Sequence, residues 1–179
     1  MAAGPRPGDA AEEFVRVARQ ELRQAADRVG ACLQRLSTEQ IWHRDHAIEN
    51  SVGNLVLHLA GNLRQWIVSG VGGAEDRRDR DWEFATREPQ PAERLQRRLE
   101  AAVADAEAVL AGLPLGRLLE RRRIQVYEVS VLQAIAHVLT HFAGHAGQII
   151  WATKHVTGKD LGFYRHLRAG AGGPPRQDP

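Results

Sequence analysis

The chain has 179 residues, 43% of them hydrophobic and 26% charged, with a net charge of +2 at neutral pH. That length suits one compact domain, and the composition argues against a disordered chain. The near balance of charge argues against a basic nucleic-acid-binding surface, and the densest cationic run, "ERRRI" at 120–124, reads as a solvated loop.

Residues 1–8 and 169–179 are rich in Gly and Pro and read as tails on a bundle spanning 9–168. The opening "MAAGPRPGDA" has no apolar core of the secretory type. The first helix runs from about Ala10 to Leu36, with Phe14, Ala18, Leu22, Ala25, Val29, Cys32 and Leu36 in one stripe. Cys32 is the only cysteine, so no internal disulfide can form. Its apolar neighbours make it a small buried hydrophobe. "STEQ", Ser37 to Gln40, reads as a capping box opening a one-turn helix, which Trp42 packs down.

The second helix runs from about Ser51 to Ser69, capped by Asn50 or Ser51 and ended by Gly70. Its ridge is Leu55, Leu59, Leu63 and Trp66. "GVGGAEDRRDRDWEFATREP" follows, a long charged loop of the kind that is often functional. The third helix starts near Pro91 and carries Leu95, Leu99, Ala102, Ala106 and Val109 to Gly112. "IQVYEVS" alternates apolar and polar residues, a short extended approach to the last helix. That helix runs from about Val131 to Val156, with Leu132, Ile135, Leu139, Phe142, Ala146 and Ile149 as its ridge and Gly158 closing it.

Four amphipathic helices without a convincing sheet predict an all-α fold, a four-helix bundle. The uneven connections leave room for an irregular up-down order. No run approaches the length of a membrane span. With a lone cysteine and no secretory signal, the expectation is a cytoplasmic protein.

The chemistry is concentrated in "HVLTHFAGHAGQ", residues 137–148. His137, His141 and His145 recur every four residues, so they share one side of a helix. Neighbouring imidazoles at this spacing can aim nitrogens at one cation. Three ligands from one helix is a harder geometry, because the outer pair would be about 12 Å apart along the axis. A third ligand from another helix fits better. The second helix offers "NLVLHLAGN", which puts Asn54, His58 and Asn62 on a polar line among leucines. Unpaired polar groups in an apolar core cost roughly 1–3 kcal/mol each. Two polar lines facing each other relieve that cost, through hydrogen bonds or through a shared metal ion. Spacing alone leaves both readings open. His43, His46, His155 and His166 lack such geometry and read as loop or helix-end residues.

"NSVGNLVLHLAGNLRQWI" followed far downstream by "AIAHVLTHFAGHAGQIIWATKHVTGKDLGFY" resembles the DinB-like (YfiT-like) superfamily. "DRRDRDWEF" and "KDLGFY" resemble one uncharacterised branch of it. The similarity runs from about residue 12 to residue 167. The resemblance implies a four-helix bundle with an unusual connection order, commonly a homodimer. It implies a divalent metal ion, zinc or nickel, held by His58, His141 and His145. His137 falls outside that triad, a neighbour of the site, with Gln148 and Asn62 as groups behind the ligands or facing substrate.

Some relatives in the superfamily are S-transferases using low-molecular-weight bacterial thiols, and others are described as metal-dependent hydrolases. A three-histidine ion with an open position suits either, since it can activate water or favour a thiolate. Hydrolysis usually wants a carboxylate base, and neither histidine line contains one. Asp81 or Glu83 in the charged loop could reach over the site, although solvated side chains are the ordinary reading. The expectation therefore tilts towards thiol transfer, with Arg77, Arg78 and Arg80 able to hold carboxylates of a thiol cosubstrate. No catalytic residue is assigned. A third reading is a structural metal in a ligand-binding or dimerising module. Trp66, Ile67 and Trp151 are candidates for a dimer contact, though core packing is their default role. The sequence carries no nucleic-acid recognition motif.

Overall fold

Each apolar stripe needs a partner surface, and the four long helices supply one another's. The computed structural model describes residues 7–165 and 167. Its helices are α1 Pro7–Leu33, α2 Thr38–Trp42, α3 Val52–Leu63, α4 Arg80–Ala85, α5 Ala92–Ala111 and α6 Val131–Thr157. α1 packs on α5 and α6, and α3 packs on the same two helices from the other side. The result is a four-helix bundle with α1 diagonal to α3. Leu22, Val29, Leu59, Leu63, Leu95, Leu99, Ile135, Phe142 and Ile149 all lie in its core. The tail expected at 169–179, most of the tail expected at 1–8, and His166 fall outside the described residues.

Local chemistry sets the starts and stops. Ser37 with Gln40 and Ser130 with Gln133 form reciprocal capping boxes at α2 and α6. Ser51 caps α3 by accepting from the Asn54 backbone N–H. Gly158 ends α6 in the left-handed conformation at φ 64°. Trp42 does pack its turn down. Its indole lies against Gly53, where any Cβ would collide with it, and its Nε1 donates to the Gln90 carbonyl at 3.0 Å.

Four features differ from the sequence reading. The first helix closes at Leu33, and a turn carries the chain to Leu36, which stays buried. Gly70 does not end the second helix. Beyond Leu63 the backbone continues as a π-helix, Arg64–Val71, and Gly72 N–H donates to the Ile67 carbonyl five residues back at 2.9 Å. The missing Cβ at Gly70 instead admits the Ile124 side chain. Residues 121–130 form a small antiparallel hairpin, β1 Arg121–Ile124 with β2 Tyr127–Ser130, so part of "ERRRI" is a strand. The long charged loop contains α4, capped by the Asp79 side chain.

No helix among the described residues is long and apolar enough to cross a membrane. Cys32 is fully buried, and burial pushes its thiol above the ordinary range.

Leu99 packs in the core of α5, away from the histidines. Leu99→Ala should lower unfolding free energy by about 2–5 kcal/mol. Urea unfolding followed by helical circular dichroism checks this; a loss under about 1 kcal/mol would contradict the packing described.

Candidate metal centre

Ser51 to Ala60 of α3 is buried throughout, so every polar group there needs a partner. Asn54 finds several. Its amide donates to the Glu83 carbonyl at 2.8 Å and the Thr86 carbonyl at 3.2 Å, and its oxygen accepts from Ser51 Oγ at 2.6 Å and from Arg44. One turn later His58 sets one ring nitrogen against Glu83 and turns the other towards α6. His141 and His145 come to meet it. The His58 and His141 Nε2 atoms are 2.9 Å apart, and ligand atoms of all three rings lie within 4.8 Å of one another. For comparison, two ring nitrogens on one tetrahedral zinc would stand about 3.3 Å apart. Among the described residues no Cys, Asp or Glu joins this group.

His137 is not part of it. Its ring stacks on Trp66 at 4.0 Å between centroids and on His141 at 5.5 Å. Trp66 and Ile67 are core residues, whereas Trp151 is 67% exposed.

The rings are held from behind. Glu83 on α4 is buried, contrary to the expectation of a solvated loop residue, and its Oε2 lies 3.1 Å from His58 Nδ1. Arg78 grips the same carboxylate, with Nε to Oε1 at 2.8 Å and Nη2 to Oε2 at 2.7 Å. Arg78 Nη2 also lies 3.0 Å from His58 Nδ1. Both cannot be hydrogen bonds to one ring atom at once. A carboxylate is the stronger partner for a ring N–H, so the proton sits on Nδ1 and points at Glu83. Nε2 is then left with its lone pair facing α6. His145 is oriented similarly by Gln148, whose Oε1 is 2.7 Å from Nδ1. A carboxylate or amide behind a ligating imidazole is the usual way of fixing its tautomer.

Of the other residues singled out from sequence, Asn62 is buried one turn beyond His58 but takes no part in these hydrogen bonds. Arg80 is exposed, its guanidinium 4.9 Å over the Phe84 ring. Arg77 is 81% exposed and pairs with Glu75, and Asp81 is exposed. Arg78 alone of the three arginines enters the site.

The electrostatics favour neutral imidazoles. Burial lowers His58, an effect that outweighs the opposing hydrogen bond it donates to Glu83. Burial, then the neighbouring His145 and His58, lowers His141 to about 4. Burial lowers His137 too. Burial raises the Glu83 carboxyl, but hydrogen bonds from Arg78 and His58 outweigh that and hold it below the usual carboxylate range. Neutral, convergent, pre-oriented imidazoles are the donor set that a divalent cation requires, so the residues fit such an ion.

The fold and this cluster define a four-helix-bundle protein whose three histidines can hold a divalent cation. The chain belongs to the DUF1572 family, described as proteins of unknown function, whose model matches residues 9–167. No curated protein matches it. A crystal structure titled as the conserved protein of locus from Enterococcus faecalis is similar in fold, with a TM-score of 0.65 and 17% sequence identity, over 80% of this chain and 97% of that one.

Two outcomes follow from the geometry. Gly61 faces Glu83 so closely that an added Cβ would fall on its carboxylate. Gly61→Ala and Glu83→Gln should each weaken metal binding, the latter about 10–100-fold, as read by competition with a chromogenic chelator. Unchanged affinity in both would remove Glu83 from the site. In metal-free protein the unfolded chain binds a proton at His141 near pH 6.5, whereas the folded chain does so only near 4. The unfolded state therefore holds more protons between those values, and stability falls as pH drops through that window. Urea midpoints in EDTA at pH 8, 6 and 5 should decline more steeply for wild type than for His141→Gln; equal slopes would contradict this.

Proposed function

We propose that the chain is a DinB-like metalloprotein in which His58, His141 and His145 hold one divalent ion, zinc or nickel, and that it transfers a low-molecular-weight thiol to an electrophilic small molecule. The observation that carries the choice of chemistry is the placement of Glu83. Hydrolysis asks for a general base on the reacting side of the ion. Glu83 lies behind His58, with its oxygens engaged by Arg78 and the ring N–H. His141 has no carboxylate among the groups that act on it. A bound ion supplies the acidity that turns a thiol into a thiolate near neutral pH, without a separate base.

The protein's own contributions are orientation and dryness. Glu83 and Gln148 fix two ring tautomers, the buried α3 wall excludes water from one side, and Trp66 with His137 fills the groove beyond His141. Hydrolysis remains the second reading on the strength of the same donor set. A homodimer, as an expectation of the DinB-like kinship, and a cytoplasmic site of action, as an expectation from the lone cysteine, belong to the proposal.

Untagged protein should carry about one divalent ion per chain, lost in His58→Ala and His141→Ala and measurable by atomic emission. With metal restored, a panel of bacterial thiols and monochlorobimane should give conjugation well above the metal-free control. Absence of any metal-dependent rate with every thiol would sink the transfer reading. Metal-dependent ester or amide cleavage without thiol would install the hydrolase in its place.

A further inference from the structure

The groove between α3 and α6 has two unlike ends. Towards the end of α3 it is filled by Trp66 and His137, whose ring centroids are 4.0 Å apart. Towards the start of α3 it opens into a cavity of about 340 Å3, whose walls include Leu36, Arg44, Leu55, Gln148, Trp151 and His155. That volume is within the usual range for small-ligand sites. The cavity abuts the histidines. Gln148, in its wall, is the residue that contacts His145 Nδ1 at 2.7 Å. On α6 the positions 141, 145, 148, 152 and 155 fall on one face by helical periodicity, so the histidine line runs on into the cavity wall.

Arg44 is the unusual member of that wall. Its Nη2 donates to Asn54 Oδ1 and, at 3.4 Å, to the Thr86 carbonyl. Its Nε is buried without an acceptor. Among the described residues no carboxylate is in ion-pair contact with it, and its charged neighbour is another cation, Arg87. The acids nearby are committed elsewhere: Asp45 to His43 at 3.0 Å, and Glu49 to the backbone N–H groups of Asp45 and His46. A half-buried guanidinium with no counter-charge is costly to maintain. The same wall carries Leu36, Leu55 and the exposed Trp151 beside Asp45 and Glu49, whose carboxylates are already engaged, and an anion supplied by a ligand answers the cost at Arg44.

We propose that this cavity is a subsite for a small organic carboxylate, its acid group held by Arg44, its apolar part against Leu55 and Trp151, and its reacting end directed past Gln148 to the histidine cluster. The direction of the reacting end rests on the reading of the cluster as the reaction centre. The carboxylate contact does not.

The test uses the full chain and two probes of equal shape, 3-phenylpropionate and the neutral 3-phenylpropanamide, titrated calorimetrically. Metal-free wild type should bind the acid roughly tenfold more tightly than the amide, because hydrogen bonds to a charged partner are the stronger class. Arg44→Gln should erase the difference, Arg44→Lys should keep part of it, and Trp151→Ala should weaken both probes. Equal binding of acid and amide, binding of neither, or a preference that survives in folded Arg44→Gln overturns the subsite. A preference found only with metal present also overturns it, since the acid would then be reading the ion. Should Arg44→Gln not fold, Ala152→Trp fills the cavity from α6, and undiminished acid binding there overturns it equally. Protein that binds no metal yet prefers the acid through Arg44 would sink the metal reading alone and leave the subsite standing.

Discussion

Two ring nitrogens aimed at each other across the bundle set the terms for this protein. His58 and His141 are 83 positions apart in the chain, yet their Nε2 atoms stand 2.9 Å apart. Two bare lone pairs at that distance repel. The contact is stable only with something electropositive between them, either a proton on one ring or a cation shared by both. Glu83 holds the His58 proton on the far nitrogen, so in the metal-free chain the bridging proton belongs to His141. That gives a satisfied neutral hydrogen bond, and the bundle can form before any ion arrives. An ion bound by these rings would take the place of that proton between helices that are already ordered.

The support behind His58 is itself expensive. A buried carboxylate and a buried guanidinium are each costly to remove from water, and pairing them only roughly recovers the loss. Such a pair is poorly explained as a source of stability. It is better explained as a fixture. Arg78 keeps Glu83 charged, Glu83 aims His58, and Gly61 leaves the gap into which the carboxylate fits. Gln65 completes the frame by accepting from Arg78 Nη1 at 2.9 Å. Four residues from α3, its π-helical continuation and the charged segment thus converge on one imidazole.

Much of this was legible in the sequence, and the parts that were not share a cause. The long helices, their serine caps and the inward turn of the two histidine lines all follow from periodicities of three to four residues, a signal that local sequence carries directly. Glu83 and Arg78 carry none. They sit in a twenty-residue charged stretch where every residue looks solvated, and their burial depends on a missing Cβ on another helix. The available signal was the pairing of Gly61 with His58 on α3, a small residue beside a candidate ligand, which marks a close approach. Arg80 looked as eligible as Arg78 because both lie in the same basic run. Only the start of α4 decides which of them turns inward. The π-helix and the hairpin were hidden because eight residues in the one and two four-residue strands in the other are too few to separate their periods from those of an α-helix or a loop.

Cys32 sits sealed in the α1 stripe, its sulfur unexposed and its acidity suppressed by its surroundings. The described fold consequently offers no accessible sulfur nucleophile of its own. An electrophile in solution therefore meets no cysteine while the fold is intact, and its reaction with Cys32 reports that the bundle has opened.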